Sequence, residues 1–219
     1  RHCIWIEDHD ANAARTYPFI AERLTLVAGN RRRSPAESTR AFAELPHRFV
    51  QIAGTAKKSA IVVPRVSSEN REYLPVDLVA SDCIIGDRNF SLYDAPLWNM
   101  ALIASRLHWV WIGTVCVRMR TDFSYSNTLG WNTFPVPTLT EKNKADLERS
   151  AEAILFVCER HFPCTIAELY DSKSMPDDLR GAHLQNDEVI ERTYFGRQMK
   201  NDTERLEKLF QMYRKAVAR

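Results

Sequence analysis

Side chains suited to recognising a partner occupy every second position of one short segment, at Arg118, Arg120, Asp122 and Ser124. In an extended chain, side chains two positions apart point to the same side, so these four are predicted to line one face. Two cations, an anion and a hydroxyl at fixed spacing present both hydrogen-bond donors and acceptors. This arrangement is typical of a surface that reads a partner rather than of a catalytic centre, and we expect this face to be the working surface.

An apolar segment immediately before these side chains is predicted to hold them in place. Residues 107–117 are the most apolar stretch of the chain. The stretch is too short to span a bilayer and contains His108, so we expect a buried helix in which His108 is a hydrogen-bonded core residue. A rigid buried body would thus deliver charged side chains to the surface.

Further polar side chains are concentrated in residues 64–75, which begin and end with proline. The prolines favour an exposed loop or edge segment over a central strand. Ser, Asn and Arg contact the phosphates and base edges of nucleic acids, but Ser and Asn equally cap their own turns. The candidates for contact are Arg65, Ser67, Ser68, Asn70 and Arg71.

Two basic clusters offer additional contacts to phosphate groups. Lys57 and Lys58 lie in a turn-prone segment between two predicted strands. Arg31, Arg32 and Arg33 lie at the junction of two predicted helices. These three arginines either meet phosphates or form a solvated basic corner, and the sequence supports both interpretations equally.

Composition and motifs argue against catalysis by this chain. The net charge is only +2 and the seven glycines are scattered, so no glycine-rich phosphate loop is indicated. The six histidines lack the spacing of a metal site, and no nucleophile elbow is present. Residues 132–135 (NTFP) resemble the Asn-Pro-Pro-aromatic motif of amino-methyltransferases, but they lack the proline that follows the asparagine. We predict no catalytic residue, metal or cofactor in this chain.

Cysteine usage indicates a reducing compartment. The five cysteines are odd in number and form no CxxC pair, and Cys3, Cys116 and Cys158 have apolar neighbours. This pattern predicts packed, reduced thiols in a cytoplasmic protein rather than disulfides or a zinc site. No signal peptide is visible, and because the chain begins without methionine we expect it to be a fragment or a processed product.

Hydrophobic periodicity predicts an α+β protein in which a mixed domain, residues 1–138, precedes an all-helical domain, residues 139–219. The predicted strands are residues 3–6, 49–52, 60–63, part of 76–85, and 90–93. The predicted helices of the first domain are residues 12–28, 34–45, 94–106 and 107–117. The predicted helices of the second domain begin at Thr140, Thr165, Pro176 and Asn201.

Five strings, taken in order, resemble the C-terminal portion of the MmeI-type (Type IIL) single-chain restriction–modification enzymes. They are residues 63–69 (VPRVSSE) with Pro75, residues 93–97 (YDAPL), residues 118–126 (RMRTDFSYS), residues 132–135 (NTFP) and residues 201–210 (NDTERLEKLF). The resemblance covers nearly the whole chain. It includes neither the nuclease nor the methyltransferase motifs of that family.

The resemblance implies a function in sequence-specific recognition of double-stranded DNA. In that family one polypeptide carries a nuclease, an adenine-specific methyltransferase, a target-recognition domain and a helical domain. The implied partners are therefore DNA and the methyltransferase and nuclease domains of the same polypeptide, without a membrane. The parent is expected to use S-adenosylmethionine and a divalent metal.

The resemblance also implies roles for individual residues. The pair that reads one base pair corresponds to Arg120 and Asp122: Arg bonds guanine bidentately and Asp accepts from the amine of the paired cytosine. Arg118 and Ser124 are further readout candidates, and Tyr125 a groove or backbone contact. Family members often carry Lys at the position of Arg120 and a basic residue at that of Ser124. The simpler alternative for Arg120 and Asp122 is a surface salt bridge between them.

A different class of function is also open to this sequence. The last predicted helix carries a Leu/Phe/Tyr stripe and a charged outer face. Such a tail suits a helical module that docks on other domains or subunits.

Overall fold

The computed structural model describes residues 2–52 and 54–218 of the 219-residue chain. It separates into two compact units, and their boundary in the sequence follows Ile52. The division predicted at residue 138 instead lies inside the second unit, where elements from both sides share one core. The division into residues 1–138 and 139–219 therefore stays a prediction about function.

The first unit is small and helical. A 3₁₀ turn, Asp8–Asp10, leads into α1 (Ala11–Ala14), α2 (Pro18–Arg32) and α3 (Glu37–Arg40). Pro18 is the first residue of α2, where its missing N–H leaves no hydrogen bond unmade. The strands predicted at residues 3–6 and 49–52 are wrong, because these segments pair with no other strand among the described residues.

Two small antiparallel sheets form the β part of the second unit. The first has the order β3-β1-β4 and the second the order β2-β6-β5. The strands are β1 (Ser59–Pro64), β2 (Val66–Ser67), β3 (Asp77–Ala80), β4 (Asn89–Tyr93), β5 (Arg118–Met119) and β6 (Asp122–Ser124). The predicted α+β class is confirmed.

Two helices fill the centre of this unit. They are α4 (Trp98–Ile103) and α5 (Arg106–Val115). Ser105 begins α5 by accepting a hydrogen bond from the His108 N–H at 3.1 Å. Because α5 is apolar on nearly every side, it is stable only when covered on nearly every side. The buried helix predicted for residues 107–117 is confirmed in its main part.

Four helices follow and cover the centre. They are α6 (Glu141–Arg160), α7 (Ile166–Leu169), α8 (Asp177–Phe195) and α9 (Asp202–Val217). Thr140 and Asn201 cap α6 and α9 as predicted. Phe162 is 85% exposed because α6 ends before it. Among the described residues, no helix combines the length and apolarity that crossing a membrane requires.

The apolar stripe of α9 is used inside the unit. The rings of Phe210 and Tyr213 lie 5.1 and 5.7 Å from that of Trp111 on α5. Leu209 beside them is fully buried. The docking-module alternative required this stripe to face a partner, so its principal support is removed.

Polar side chains line the buried face of α8, which the sequence had not indicated. Asn186 donates to the Ala101 carbonyl of α4 at 2.9 Å, and the Asp187 carboxylate accepts from the Arg106 N–H of α5 at 2.7 Å. These bonds satisfy backbone groups that helix ends leave unpaired. α8 therefore fixes the angle between α4 and α5 through hydrogen bonds as well as through packing.

Candidate nucleic-acid interface

The segment of alternating charges folds as a β-hairpin rather than as one extended strand. β5 pairs with β6 antiparallel, with Arg118 opposite Phe123 and Met119 opposite Asp122. Arg120 and Thr121 form the turn, and Arg120 has a positive φ of 61°. The prediction that residues 118–124 form one continuous extended segment is wrong at this turn.

The hairpin register sends the four predicted readout residues to different sides. Paired residues of an antiparallel ladder share a face, and neighbours along a strand alternate. Arg118 therefore lies with Phe123 on the inner face, whereas Asp122 and Ser124 lie on the outer face. The prediction that all four line one face is wrong, and Arg118 is separated from Asp122 and Ser124.

Helix α5 anchors the inner face of the hairpin. The rings of Phe123 and Trp109 meet edge to face, with their centroids 4.7 Å apart. Gly113 permits this approach, since a Cβ there would lie 3.2 Å from the Phe123 ring. The expected arrangement, in which a buried helix supports a charged surface segment, is present at this contact.

Tyr125 continues this anchor into the core. Its hydroxyl lies 3.1 Å from Nε2 of His108, and both side chains are buried. Burial lowers the pKa of His108 to about 3, so the imidazole is neutral at physiological pH. Tyr125, predicted to contact DNA, is thus a core residue, since the hairpin packs on α5 with that ring inside.

Arg118 serves as a brace for the hairpin. Its Nη1 lies 2.6 Å from the Glu69 carboxylate and donates to the Thr121 carbonyl at 3.1 Å. Its guanidinium also covers the Phe123 ring at 4.5 Å. These contacts connect the turn to the loop after β2. We therefore place Arg118 among the residues that shape the turn.

Arg120 and Asp122 remain available at the tip. Arg120 is exposed and Asp122 half-buried. Among residues 2–52 and 54–218, neither side chain has a hydrogen-bond or ion-pair partner, so the salt bridge considered as the alternative is not formed. An arginine and a carboxylate two residues apart are thus both free to bond elsewhere.

The positive φ of Arg120 allows a test of whether its side chain stabilises the fold. A non-glycine residue at positive φ is strained, so Arg120→Gly is expected to raise the free energy of unfolding by about 1 kcal/mol. Arg118→Gly, at an extended position, is expected to lower it. Urea unfolding of both variants measures these changes. A destabilised Arg120→Gly would show that the arginine side chain itself supports the fold.

The segment of residues 64–75 is only partly exposed. Ser67 is 3% exposed, since it lies on the inner face opposite Phe123. Ser68 accepts weakly from the Asn70 N–H at 3.4 Å, as expected of a serine that caps its own turn. Arg71 is half-buried beside Ser67. Ser67 is therefore not available for contact as predicted, whereas Asn70 is exposed.

Arg65 and a residue not singled out from the sequence lie beside the hairpin. Arg65 is exposed, and its carbonyl accepts from the Tyr125 N–H at 2.8 Å. Its own N–H donates to the Arg88 carbonyl at 3.0 Å, which brings exposed Arg88 to the same edge. Only the pairing of β1 with β4 reveals this proximity. The available signal was a basic residue between two predicted strands, which is common in any protein.

The lysine pair lies at the other end of β1. Lys57 and Lys58 are exposed, and their backbone N–H groups donate to the Asp94 carboxylate at 2.7 to 3.0 Å. These bonds lower the pKa of Asp94. The helix predicted from residue 94 begins only at Trp98, and the φ of 52° at Asp94 turns this residue back onto the loop. The strand length places the lysines roughly 20 Å from Arg65.

The three consecutive arginines belong to the first unit. Arg31 donates to the carbonyls of Phe42, Leu45 and Arg48 at 2.6 to 3.0 Å, and so holds the loop after α3. Arg32 pairs with Glu44 at 3.0 Å, and Arg33 donates to Asn30 at 2.7 Å. Arg31 is therefore a structural brace, a third possibility beyond the two considered from the sequence. Arg32 and Arg33 stay exposed.

The cysteines and acidic groups show no metal cluster. Within residues 2–52 and 54–218, no three His, Cys, Asp or Glu side chains are grouped so that they could hold a metal ion. The five cysteines are free thiols. Cys116 is buried as expected, but Cys3 is exposed because the predicted strand around it is not formed.

Comparisons with known families cover the whole chain. The family model described as MmeI, target recognition domain, matches residues 1–138. The family model described as MmeI, C-terminal domain, matches residues 139–219.

Comparisons with individual proteins agree. DNA methyltransferase A of Bacillus subtilis (strain 168) is 36% identical over 219 residues, which are all of this chain and 25% of that protein. A solved structure of the Type IIL restriction-modification enzyme MmeI in complex with DNA superposes with a TM-score of 0.88 at 29% identity. That match covers 99% of this chain and 29% of the MmeI chain. The chain thus spans between a quarter and a third of the length of these relatives.

Proposed function

The chain belongs to the MmeI family, and from this we propose that it recognises a specific sequence in double-stranded DNA for a restriction–modification protein. Residues 1–138 supply the contacts, and residues 139–219 support them. The base-reading pair is Arg120 and Asp122, with Ser124 beside them. Contacts to the DNA backbone come from Lys57, Lys58, Arg65, Asn70 and Arg88.

The unpaired arginine at the hairpin tip is the observation that carries this proposal. Arg120 occupies a backbone conformation that favours glycine, yet its side chain has no partner among the described residues. Strained residues persist where a function requires them. Guanine presents two acceptors in the major groove, and cytosine one amine donor. A free guanidinium and a free carboxylate two positions apart match that pair of groups.

The remaining parts of this proposal concern the whole polypeptide. We propose that it methylates adenine with S-adenosylmethionine and cleaves DNA with a divalent metal, using domains outside these residues. The present chain then contributes specificity and no reacting group. Its partners are DNA and those domains, and its compartment is the cytoplasm.

Binding of the intact polypeptide to duplex DNA at increasing salt tests the proposal. Affinity is expected to fall linearly on a double-logarithmic plot, because each phosphate contact releases counterions. Changing Lys57 and Lys58 to alanine is expected to make this slope shallower, by about one for each phosphate that the variant no longer neutralises. The weakening should be the same for all sequences, because phosphates carry no sequence information.

Lys142 and Lys144 of α6 supply the matched control. Changing both to alanine removes the same charge from the helical part and should leave the salt slope unchanged. An unchanged slope in the Lys57/Lys58 variant would remove these two lysines from the interface. Binding without any sequence preference or salt dependence would overturn the proposed function itself.

A further inference from the structure

The outer face of the second sheet carries apolar side chains that are open to solvent. Ser124 pairs with Val66 of β2, and its N–H donates to the Val117 carbonyl at 3.0 Å, while Met119 pairs with Asp122. These five side chains therefore share one face. Val66, Val117 and Met119 are 42%, 66% and 58% exposed. We call this five-residue set the open face.

This composition is unusual for the solvent side of an antiparallel sheet. Such sheets generally place apolar side chains on the core side and polar ones in water. Here the core side is filled by Phe123 and Ser67, both buried. Three exposed apolar side chains beside an unpaired carboxylate and a hydroxyl indicate a surface that something covers.

Charge and shape favour DNA as the group that covers it. The exposed Arg120 lies at the tip of the hairpin, beside the open face. Arg65 precedes Val66 and lies on the other side of the sheet, where its guanidinium is 5.2 Å from the centre of the Phe90 ring. The β5–β6 hairpin is a two-stranded part of this three-stranded sheet, and with strands about 4.8 Å apart it fits into a major groove about 12 Å wide. The groove offers donors, acceptors and the methyl group of thymine. The open face offers a carboxylate, a hydroxyl and three apolar side chains.

We propose that Val66, Val117 and Met119 read the 5-position of pyrimidines, where thymine carries a methyl group and cytosine a hydrogen. This inference rests on the proposed function and adds apolar readout to it. The hairpin tip reads hydrogen-bonding groups, and the strands behind it distinguish bases by a methyl group. Val117 and Met119 lie nearest the turn and supply the principal contacts.

A pyrimidine scan of the bound sequence tests this assignment. Synthetic duplexes carry the sequence that the intact polypeptide selects from a random pool, with each thymine changed in turn to deoxyuridine and each cytosine to 5-methylcytosine. Loss or gain of one buried methyl group should change affinity about fourfold at one or more positions. Changes at pyrimidines outside the interface should have no effect.

Variants connect the effect to the open face. In Val117→Ala and Met119→Ala, the sensitivity at the affected pyrimidine should disappear. Where that pyrimidine is thymine, affinity for the unmodified duplex should fall about fourfold, to that of the deoxyuridine duplex. Val136 is also exposed, at 41%, but lies outside the sheet. Val136→Ala should therefore keep the wild-type response to changes at the pyrimidine 5-position. Val117 and Met119 are both exposed, so replacing either by alanine leaves the core intact.

Two results would overturn the inference. One is a wild type that binds its sequence but responds to no 5-position change. The other is a pyrimidine response that persists in both variants. Selection of no sequence at all would instead overturn the proposed function, so the two failures are distinguishable.

Discussion

Replacing Arg120 by glutamate and Asp122 by arginine in the intact polypeptide is expected to change the recognised sequence at one base pair. The exchange reverses the order of donor and acceptor at the hairpin tip. A tip that pairs Arg with guanine and a carboxylate with cytosine should then prefer the inverted pair. Sequencing of DNA modified in cells that express each variant identifies the sequence read.

The single substitution Arg120→Ala indicates how much base discrimination the arginine contributes. Arg120→Ala removes one bidentate contact and should reduce discrimination at that base pair by roughly 1–3 kcal/mol, which is about 5- to 150-fold. Because the change lies in an exposed turn, the fold should be retained. The loss should therefore concern one position of the sequence and leave the others unaltered.

A charge exchange elsewhere provides the control. Glu141 and Lys144 form an exposed ion pair on α6, at 2.8 Å. Exchanging these two residues alters the same number of charges without touching the hairpin. If the Arg120/Asp122 exchange leaves the recognised sequence unaltered, the tip does not read a base pair.

The hairpin shows why local patterns predict backbone conformation better than the side to which each side chain points. Alternation from Arg118 to Ser124 correctly indicated extended backbone on both sides of the turn, at residues 118–119 and 122–124. It did not indicate the reversal, because Arg120-Thr121 lacks the Asn-Gly or Asp-Gly signal of a two-residue turn. The turn is held instead by Arg118, which bonds Glu69 far away in the sequence. Tyr125 and Ser67 were misplaced for the same reason, since the register decides which face is buried.

Helix ends in the tail were easier to predict, since caps are local. Thr140 accepts from the Asn143 N–H three residues on, within reach of any short window. The polar buried face of α8 was not predictable in this way. Its partners on α4 and α5 lie more than 80 residues earlier, so its side chains resemble an ordinary solvated surface.

Removal of the Asp187 carboxylate is expected to cause the largest loss of stability. Asp187 accepts from the Tyr73 hydroxyl at 2.9 Å and from the Arg106 N–H at 2.7 Å, in a buried site. Asp187→Ala leaves both donors without this acceptor, at a cost of roughly 1–3 kcal/mol each. Urea unfolding followed by tryptophan fluorescence measures the loss, and Asp187→Asn, which keeps an acceptor oxygen, should lose less.

The same carboxylate should give the chain a characteristic pH dependence. Burial raises the pKa of Asp187 to about 7, from 3.8 in the unfolded chain. Between these values the folded form holds a proton that the unfolded form releases, so this group lowers the free energy of unfolding as pH rises from about 4 to 7. Above pH 7 the full penalty of a buried charge is present. Asp187→Asn should remove this contribution, which the difference between the two proteins at pH 5 and pH 8 measures.

The Asp187 variants also test whether DNA binding depends on the way α8 holds α5 in place. Asp187 holds the first turn of α5, and α5 carries Trp109 and Gly113, on which the hairpin rests. Asp187→Ala should therefore weaken DNA binding at every position of the sequence, together with stability. Asp187→Asn, which keeps one acceptor oxygen, should lose less of both at pH 8. If Asp187→Ala bound DNA as the wild type does while losing stability, the position of the hairpin would not depend on the bond between α8 and α5.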